Sequence, residues 1–157
     1  MPRAHVPDLH IHLATALVRR GNDVLLVASR YPNHEQPLWN LPGGRQQSGE
    51  LLAQTAAREL REETGLEGTV RELCYVSESY DGATHFINTT FALDANGVIA
   101  PGMCEGDHVV QAAWVPVELL PERLTVAVVR EPLLAFLREG RRYAGYAEAG
   151  ITIEFPH

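Results

Sequence analysis

The sequence predicts an α/β fold in which helices pack on a mixed sheet. Strand-like segments rich in β-branched and apolar residues lie on both sides of one clear amphipathic helix, and a second helical segment follows them. The 157 residues suffice for a substantial core, and no repeat or linker-like segment divides the sequence. We therefore expect a single domain over residues 1–157.

The N-terminal part of the chain is predicted to form two strands, a loop and the main helix. Residues 10–18 and 24–29 have the pattern of two strands in a hairpin. Residues 30–44 are predicted to be a loop, because three prolines interrupt them and two glycines end them. Residues 51–64 have the helical pattern, and Gly65 is a typical residue at a helix C-terminus.

The rest of the chain is predicted to contain mostly strands. Segments 69–80 and 84–95 flank an Asp-Gly pair that is typical of a tight turn between two strands. The other predicted elements are a strand at 109–117, a helix at 131–140 and a last strand at 150–155.

Composition and charge exclude several classes of function. A net charge of −7 argues against non-specific binding to duplex nucleic acid, but it allows a small anionic substrate if a divalent cation is bound. No apolar run approaches the ~20 residues of a membrane span, and the N-terminus lacks a signal-peptide pattern, so we expect a cytoplasmic protein without membrane contact. Cys74 and Cys104 lack C-x-x-C spacing and are predicted to be free thiols.

Three glutamates lie on one face of the predicted main helix. At about 100° per residue, Glu59, Glu62 and Glu63 share a stripe roughly 100° wide. A separate stripe beside them consists of small or apolar residues: Ala53, Ala56, Ala57 and Leu60. The helix can therefore pack its alanine stripe on a sheet and keep the acids beside that contact.

The acidic stripe has two interpretations, a solvated helix face and a metal site. Solvated faces are the common explanation of a charge run. However, like charges at i, i+3 and i+4 repel each other, and the helix dipole disfavours negative charge near the C-terminus. A hard divalent cation with oxygen ligands would relieve both costs.

The wider spacing resembles a known motif. The chain matches G-x5-E-x7-R-E-U-x-E-E-x-G-U, where U is bulky and apolar, at all nine specified positions over residues 44–66. The chance of such a match in a chain of this length is on the order of 10⁻⁷. This is the Nudix box, and the chain resembles a Nudix hydrolase. The resemblance implies an α/β/α sandwich around a mixed sheet, and water attack on a nucleoside diphosphate linked to another group, with Mg²⁺ or Mn²⁺ as cofactor.

The resemblance also implies roles for the residues of the box. Glu59 and Glu63 would be metal ligands, and Glu62 would be a ligand or the base that deprotonates the attacking water. The metal site would be completed by the carbonyl of Gly44 and by Glu50, while Arg58 would hold the carboxylates in place. Oxygen ligands suit Mg²⁺ or Mn²⁺ better than Zn²⁺.

Several residues outside the box are candidates by the same resemblance. Many Nudix proteins add a late-loop carboxylate, for which Glu105 is favoured over Asp107. The candidate substrate-binding residues are Arg30 and Arg45 for phosphate, Trp39 as a structural residue or a base-stacking platform, and Tyr80 for a base or ribose. His10 and His12 alternate on the first predicted strand and could face the cleft together.

The leading hypothesis is a magnesium-dependent hydrolase that cleaves a nucleoside diphosphate derivative, and a homodimer is plausible. ADP-ribose pyrophosphatases often carry a proline at the position of Asp81, and Tyr80 lies slightly before the tyrosine of dinucleoside polyphosphate hydrolases. A nucleoside triphosphate or nucleotide sugar is therefore favoured as substrate. One alternative is a non-catalytic, nucleotide-sensing binding module. Another is an isomerase of a prenyl diphosphate, which would need a catalytic cysteine.

Overall fold

The computed structural model describes residues 9–100 and 108–147. In this part of the chain the strands are β1 Leu9–Leu17, β2 Arg19–Arg20, β3 Asp23–Ser29, β4 Leu38–Asn40, β5 Gly43–Arg45, β6 Glu67–Asp81, β7 Thr84–Asn96, β8 Val109–Pro116 and β9 Tyr143–Tyr146. The helices are α1 Leu52–Thr64, α2 Leu120–Arg123 and α3 Ala127–Glu139, with a 3-10 turn at Val117–Leu119 before α2.

The strands form two sheets. The larger sheet has the order β5-β1-β7-β6-β9, in which β1 is parallel to β7 and antiparallel to β5. The smaller sheet is built around β3, which pairs with β2, β4 and β8. The larger sheet is therefore mixed, and the α/β fold class is confirmed.

Two apolar cores lie on opposite faces of the sheets. The core under α1 contains Ala14, Ala16, Val18, Leu25, Ala56, Leu60, Leu66 and Leu93. The core under α2 and α3 includes Leu17, Val24, Leu26, Tyr75, Ala92, Val115, Leu124 and Leu133. Strands β1 and β3 contribute to both cores because side chains alternate along a strand. This layering matches the predicted sandwich.

Helix α1 confirms the face predicted for it. Ala56 and Leu60 are fully buried, so the small-residue stripe does pack on the sheet. The helix ends where predicted, because Gly65 has a φ of 79° and its N–H donates to the carbonyl of Arg61 at 2.8 Å. A left-handed residue at this position closes the last helical turn.

Other predicted elements need correction. The hairpin of the first two long strands is wrong, since β1 pairs with β5 and β7, and the turn instead joins the short strand β2 to β3. The predicted loop at 30–44 contains β4 and the start of β5. Strand β9 was not predicted, and the predicted strand at 150–155 lies outside the described residues. No helix in the described ranges is long and apolar enough to cross a membrane.

Candidate active site

The double glycine lies directly against the acidic stripe of α1. Strand β5 pairs antiparallel with β1, so that Gly44 is opposite Ala14. A Cβ added to Gly44 would be 2.6 Å from an oxygen of Glu59, and one added to Gly43 would be 2.5 Å from the carbonyl oxygen of Ala14. Gly43 therefore requires glycine because backbone atoms block a side chain there, whereas a side chain at position 44 would displace the Glu59 carboxylate. The backbone of β5 thus reaches contact distance of the carboxylate.

Arg58 connects the carboxylates of the helix with the loop before it. Its Nε donates to Glu50 at 2.7 Å, and its NH1 donates to Glu59 at 2.9 Å and to Glu62 at 3.0 Å. Its NH2 donates to Glu50 at 3.1 Å and to the carbonyl oxygen of Arg45 at 3.1 Å. This planar, multidentate pairing is the one predicted for Arg58, and it also ties β5 to α1.

Glu50 is the most firmly held of these carboxylates. Besides Arg58, it accepts hydrogen bonds from the Thr55 hydroxyl at 2.7 Å and from the backbone N–H of Gln47 at 3.1 Å. The hydrogen bond from Arg58 is the main reason that the pKa of Glu50 falls to about 2. Glu50 is therefore ionised throughout the physiological range. The supporting donors, Thr55 and Gln47, were not foreseen from the sequence, because both positions are unspecified in the motif.

Glu63 is a buried carboxylate. It is 2 % exposed, and one of its oxygens accepts the N–H of Gly43 at 2.8 Å. Burial, followed by the negative charge of Glu59, raises its pKa well above the usual value. Burial also raises the pKa of Glu59. An anion buried beside other anions is expensive unless a cation compensates it.

The donor set fits a hard divalent cation. Glu59, Glu62 and Glu63 supply oxygen ligands of the kind that Mg²⁺ and Mn²⁺ prefer, and the backbone of Gly44 approaches Glu59 without an intervening side chain. Within residues 9–100 and 108–147, the His, Cys, Asp and Glu side chains form no ready-made group of three ligands. The physical reason is that Arg58 attracts the oxygens of Glu59 and Glu62, so a bound cation would have to compete with the guanidinium.

A cleft of about 1060 Å³ opens beside this cluster. Gly43, Gly44, Glu59 and Glu63 form part of its wall. Other parts of the wall come from both sheets and from α3, including Thr15, Ser29, Tyr31, Trp39, Ser77, Phe86, Asn88 and Val129. A cleft of this size can hold a ligand of nucleotide dimensions.

The chain matches the family model for the NUDIX domain over residues 10–137. The chain belongs to the Nudix family. Among its relatives is a protein of Methanocaldococcus jannaschii named ADP-ribose pyrophosphatase, with 33% identity over 73% of this chain and 68% of the relative. Phosphatase NudJ of Escherichia coli K12 is 29% identical over 84% of this chain and 86% of its own. Two other relatives are longer, and the chain spans 44% and 51% of their lengths.

Solved structures support the same fold. The MutT protein of Bacillus halodurans aligns with a TM-score of 0.72 at 20% identity, over 91% of this chain and 94% of that one. At this identity the similarity shows the Nudix fold and nothing about the substrate.

The structure brings some of the candidate substrate residues to the Nudix cleft. Trp39 and Arg45 line the cleft, and the guanidinium of Arg123 lies 4.9 Å from the Trp39 ring. Arg30 and Tyr80 are not among the lining residues of the described chain. The Arg30 side chain is exposed, and the Tyr80 ring stacks on His85 at 4.3 Å, so substrate roles for these two residues stay predictions.

The remaining candidates lie elsewhere or outside the described residues. Glu105, Asp107 and Cys104 belong to the segment that the structure does not describe. Cys74 is buried in the core under α2 and α3, and burial raises the pKa of its thiol, which disfavours the nucleophilic thiolate.

His10 and His12, which could have faced the cleft together, are not among its lining residues in the described chain. Leu13 and Thr15 line the cleft, and side chains alternate along β1, so His10 and His12 lie on the other face of the sheet. The polar cleft wall formed by Thr15, Ser77 and Asn88 was not predicted from the sequence. A detectable signal was the presence of polar residues at alternate positions of otherwise apolar strands.

Proposed function

We propose that this Nudix hydrolase requires Mg²⁺ or Mn²⁺ and cleaves the diphosphate linkage of a nucleoside diphosphate derivative. The observation that carries the proposal is the carboxylate cluster of α1, which is bound by Arg58 and lies against Gly44 at the wall of the cleft. The names of the relatives, ADP-ribose pyrophosphatase and phosphatase NudJ, agree with phosphorus chemistry of this kind.

Each residue of the cluster has a role in the proposed reaction. Glu59, Glu63 and the carbonyl of Gly44 would hold the metal. A divalent ion in this position would neutralise the diphosphate oxygens and lower the pKa of a bound water. Glu62 has a side chain that is 32% exposed and can accept the proton from the attacking water, and Glu59 is the other candidate for this step. Arg58 orients both carboxylates through its NH1 group.

The cleft supports a substrate that extends away from the metal cluster. Asn88 lies on β7, two strands from β5, which is about 10 Å at the usual spacing of strands. Its Oδ1 is buried and accepts no hydrogen bond from the described residues, while its amide nitrogen donates to Thr15 and Thr90. A hydrogen-bond donor on the non-phosphate part of the substrate would satisfy this oxygen.

The test is a hydrolysis assay on nucleoside triphosphates, nucleotide sugars, dinucleoside polyphosphates and ADP-ribose, with Mg²⁺, Mn²⁺ or a chelator. We expect turnover of at least one class, which the chelator abolishes. Glu62→Gln and Glu63→Gln should each lower kcat on the best substrate by about 100-fold or more while the fold is retained.

Glu67→Gln is the matched control, since Glu67 is exposed and follows the cluster by only four residues. It should keep wild-type kcat. If both cluster variants also keep wild-type kcat, the assignment fails. Tight nucleotide binding without turnover in either metal would instead indicate the non-catalytic sensing module.

A further inference from the structure

A chain of hydrogen bonds links four side chains on neighbouring strands of the larger sheet. The Tyr143 hydroxyl on β9 donates to Glu78 Oε2 on β6 at 2.5 Å. Glu78 Oε1 lies 2.7 Å from Nε2 of His85 on β7. Nδ1 of His85 lies 3.2 Å from Nδ1 of His10 on β1. None of these contacts is used in the proposed hydrolysis.

The carboxylate at one end decides which ring nitrogens carry protons. Hydrogen bonds from Tyr143 and His85 lower the pKa of Glu78, so Glu78 accepts as a carboxylate and His85 Nε2 carries the proton that it donates. In the neutral ring, Nδ1 of His85 then presents a lone pair to His10. Neutral His10 completes the contact by donating its own Nδ1–H.

The separation of the two nitrogens fits a hydrogen bond, and it also fits two ligands on one metal ion. Two imidazole nitrogens that each bind Zn²⁺ at about 2.0–2.1 Å with a tetrahedral angle are about 3.3 Å apart. The observed separation is 3.2 Å. We propose that His10 Nδ1 and His85 Nδ1 form a binding site for a borderline divalent transition-metal ion such as Zn²⁺, which replaces the proton they share.

The surroundings of His85 support metal binding. A ligating histidine typically donates its other N–H to a carboxylate, which fixes the tautomer and raises the basicity of the ring, and Glu78 occupies this position. The His85 ring is also held by stacking on Tyr80 at 4.3 Å, with 3° between the planes. One ligand is therefore preorganised before the metal arrives.

His10 supplies the adjustable ligand. It lies at the surface, so its ring can turn and solvent can reach the site. On binding, the His10 proton moves from Nδ1 to Nε2 by exchange with water, and the number of protons on the pair does not change. Imidazole ligands favour Zn²⁺, Ni²⁺ and Cu²⁺ over Mg²⁺, so Mg²⁺ should not occupy this site.

The protein supplies two ligands in the described residues, because no third His, Cys, Asp or Glu there completes a cluster. Water would fill the remaining positions. Binding is therefore reversible, and its effect is to connect the parallel strands β1 and β7 through the metal.

The test is calorimetric titration of the full chain with Zn²⁺ in an excess of Mg²⁺, which would compete for the carboxylate cluster but not for the histidine pair. Long-range ¹⁵N spectra of the histidine rings are recorded in parallel. We expect one equivalent of Zn²⁺ to bind, with the proton of His10 moving from Nδ1 to Nε2. His10→Ala and His85→Ala should each weaken this binding by about tenfold or more.

Glu78→Gln tests the carboxylate, because a glutamine oxygen can still accept the Nε2–H but raises the ring basicity less. We expect about a 10-fold to 100-fold loss of zinc affinity. His12→Ala is the matched control, since His12 is exposed two residues further along β1 and makes no contact with the pair in the described structure. It should bind zinc as the wild type does.

Two results would overturn the proposal. One is unchanged zinc affinity in His10→Ala, which is an exposed position where loss of folding is not expected. The other is the absence of one-equivalent zinc binding to the wild type, with histidine spectra that do not change. In either case the shared proton alone accounts for the contact between the rings.

Discussion

Removal of the buried charge at position 63 should stabilise the protein while it inactivates the enzyme. Glu63 is 2 % exposed, and Glu59 adds like charge beside it. In Glu63→Gln the amide oxygen can still accept the N–H of Gly43. Burial and the charge of Glu59 disfavour the ionised carboxylate, and each unit by which the pKa is raised corresponds to about 1.4 kcal/mol. We expect a gain of about 2 kcal/mol, which in a chain of this size is about 4–8 °C in Tm.

The gain should depend on pH in a defined direction. The folded-state pKa of Glu63 is raised, so the cost is absent where the carboxyl group is protonated in both the folded and the unfolded chain. It grows as the pH rises above the unfolded value of about 4.3. Urea or thermal unfolding in a chelator should therefore show the variant as more stable at about pH 8, with the difference vanishing near pH 4.

Magnesium should reverse this advantage. Ligand binding to the folded state stabilises the wild type by about 2.7 kcal/mol at a concentration of 100 times Kd, and the variant should gain much less. Glu62→Gln is the control, because it removes the same charge from a side chain that is 32% exposed and bound to Arg58. This variant should not be more stable than the wild type. If Glu63→Gln is less stable than the wild type at pH 8 in chelator, the reasoning about the buried charge is refuted.

Three further changes follow from the same cluster. In Gly44→Ala the new methyl group would be 2.6 Å from Glu59, so we expect at least about a tenfold loss of kcat with the fold retained by circular dichroism. Arg58→Lys should lower kcat and reduce the free energy of unfolding in urea by about 1–3 kcal/mol, because an ammonium group cannot donate the two parallel hydrogen bonds that Glu50 accepts from Arg58. An unchanged free energy of unfolding would contradict this prediction. The pKa of Glu50 is about 2, so its contribution to stability should be complete above about pH 5 and be lost as the pH falls towards 2. In Glu50→Gln the free energy of unfolding should therefore depend less on pH between about 5 and 2.

The contacts of the box residues were largely predictable from the sequence. The spacing of Glu50, Arg58 and Glu59 identified residues that the structure brings together around one guanidinium. The helical wheel placed Glu63 with the other acids, but burial of Glu63 was not foreseen. In the wheel it is the acid nearest the alanine stripe, so the packing of that stripe on the sheet covers it as well.

The pairing of strands was less predictable because it depends on distant residues. The turn that follows β1 has the residues of a hairpin turn, but it joins only the two-residue strand β2 to β3. Strand β1 instead pairs in parallel with β7, more than 70 residues away. A single sequence contains no signal for such a non-local pairing. The same pairing brings His10 beside His85, a contact that the sequence alone did not indicate.

The position of Arg58 has a consequence for how the site is assembled. Its single positive charge already gathers Glu50, Glu59 and Glu62, which repulsion would otherwise drive apart. These carboxylates are therefore held together in the folded chain before any cation binds. Binding of a divalent cation would then be an exchange of partners at a preformed surface.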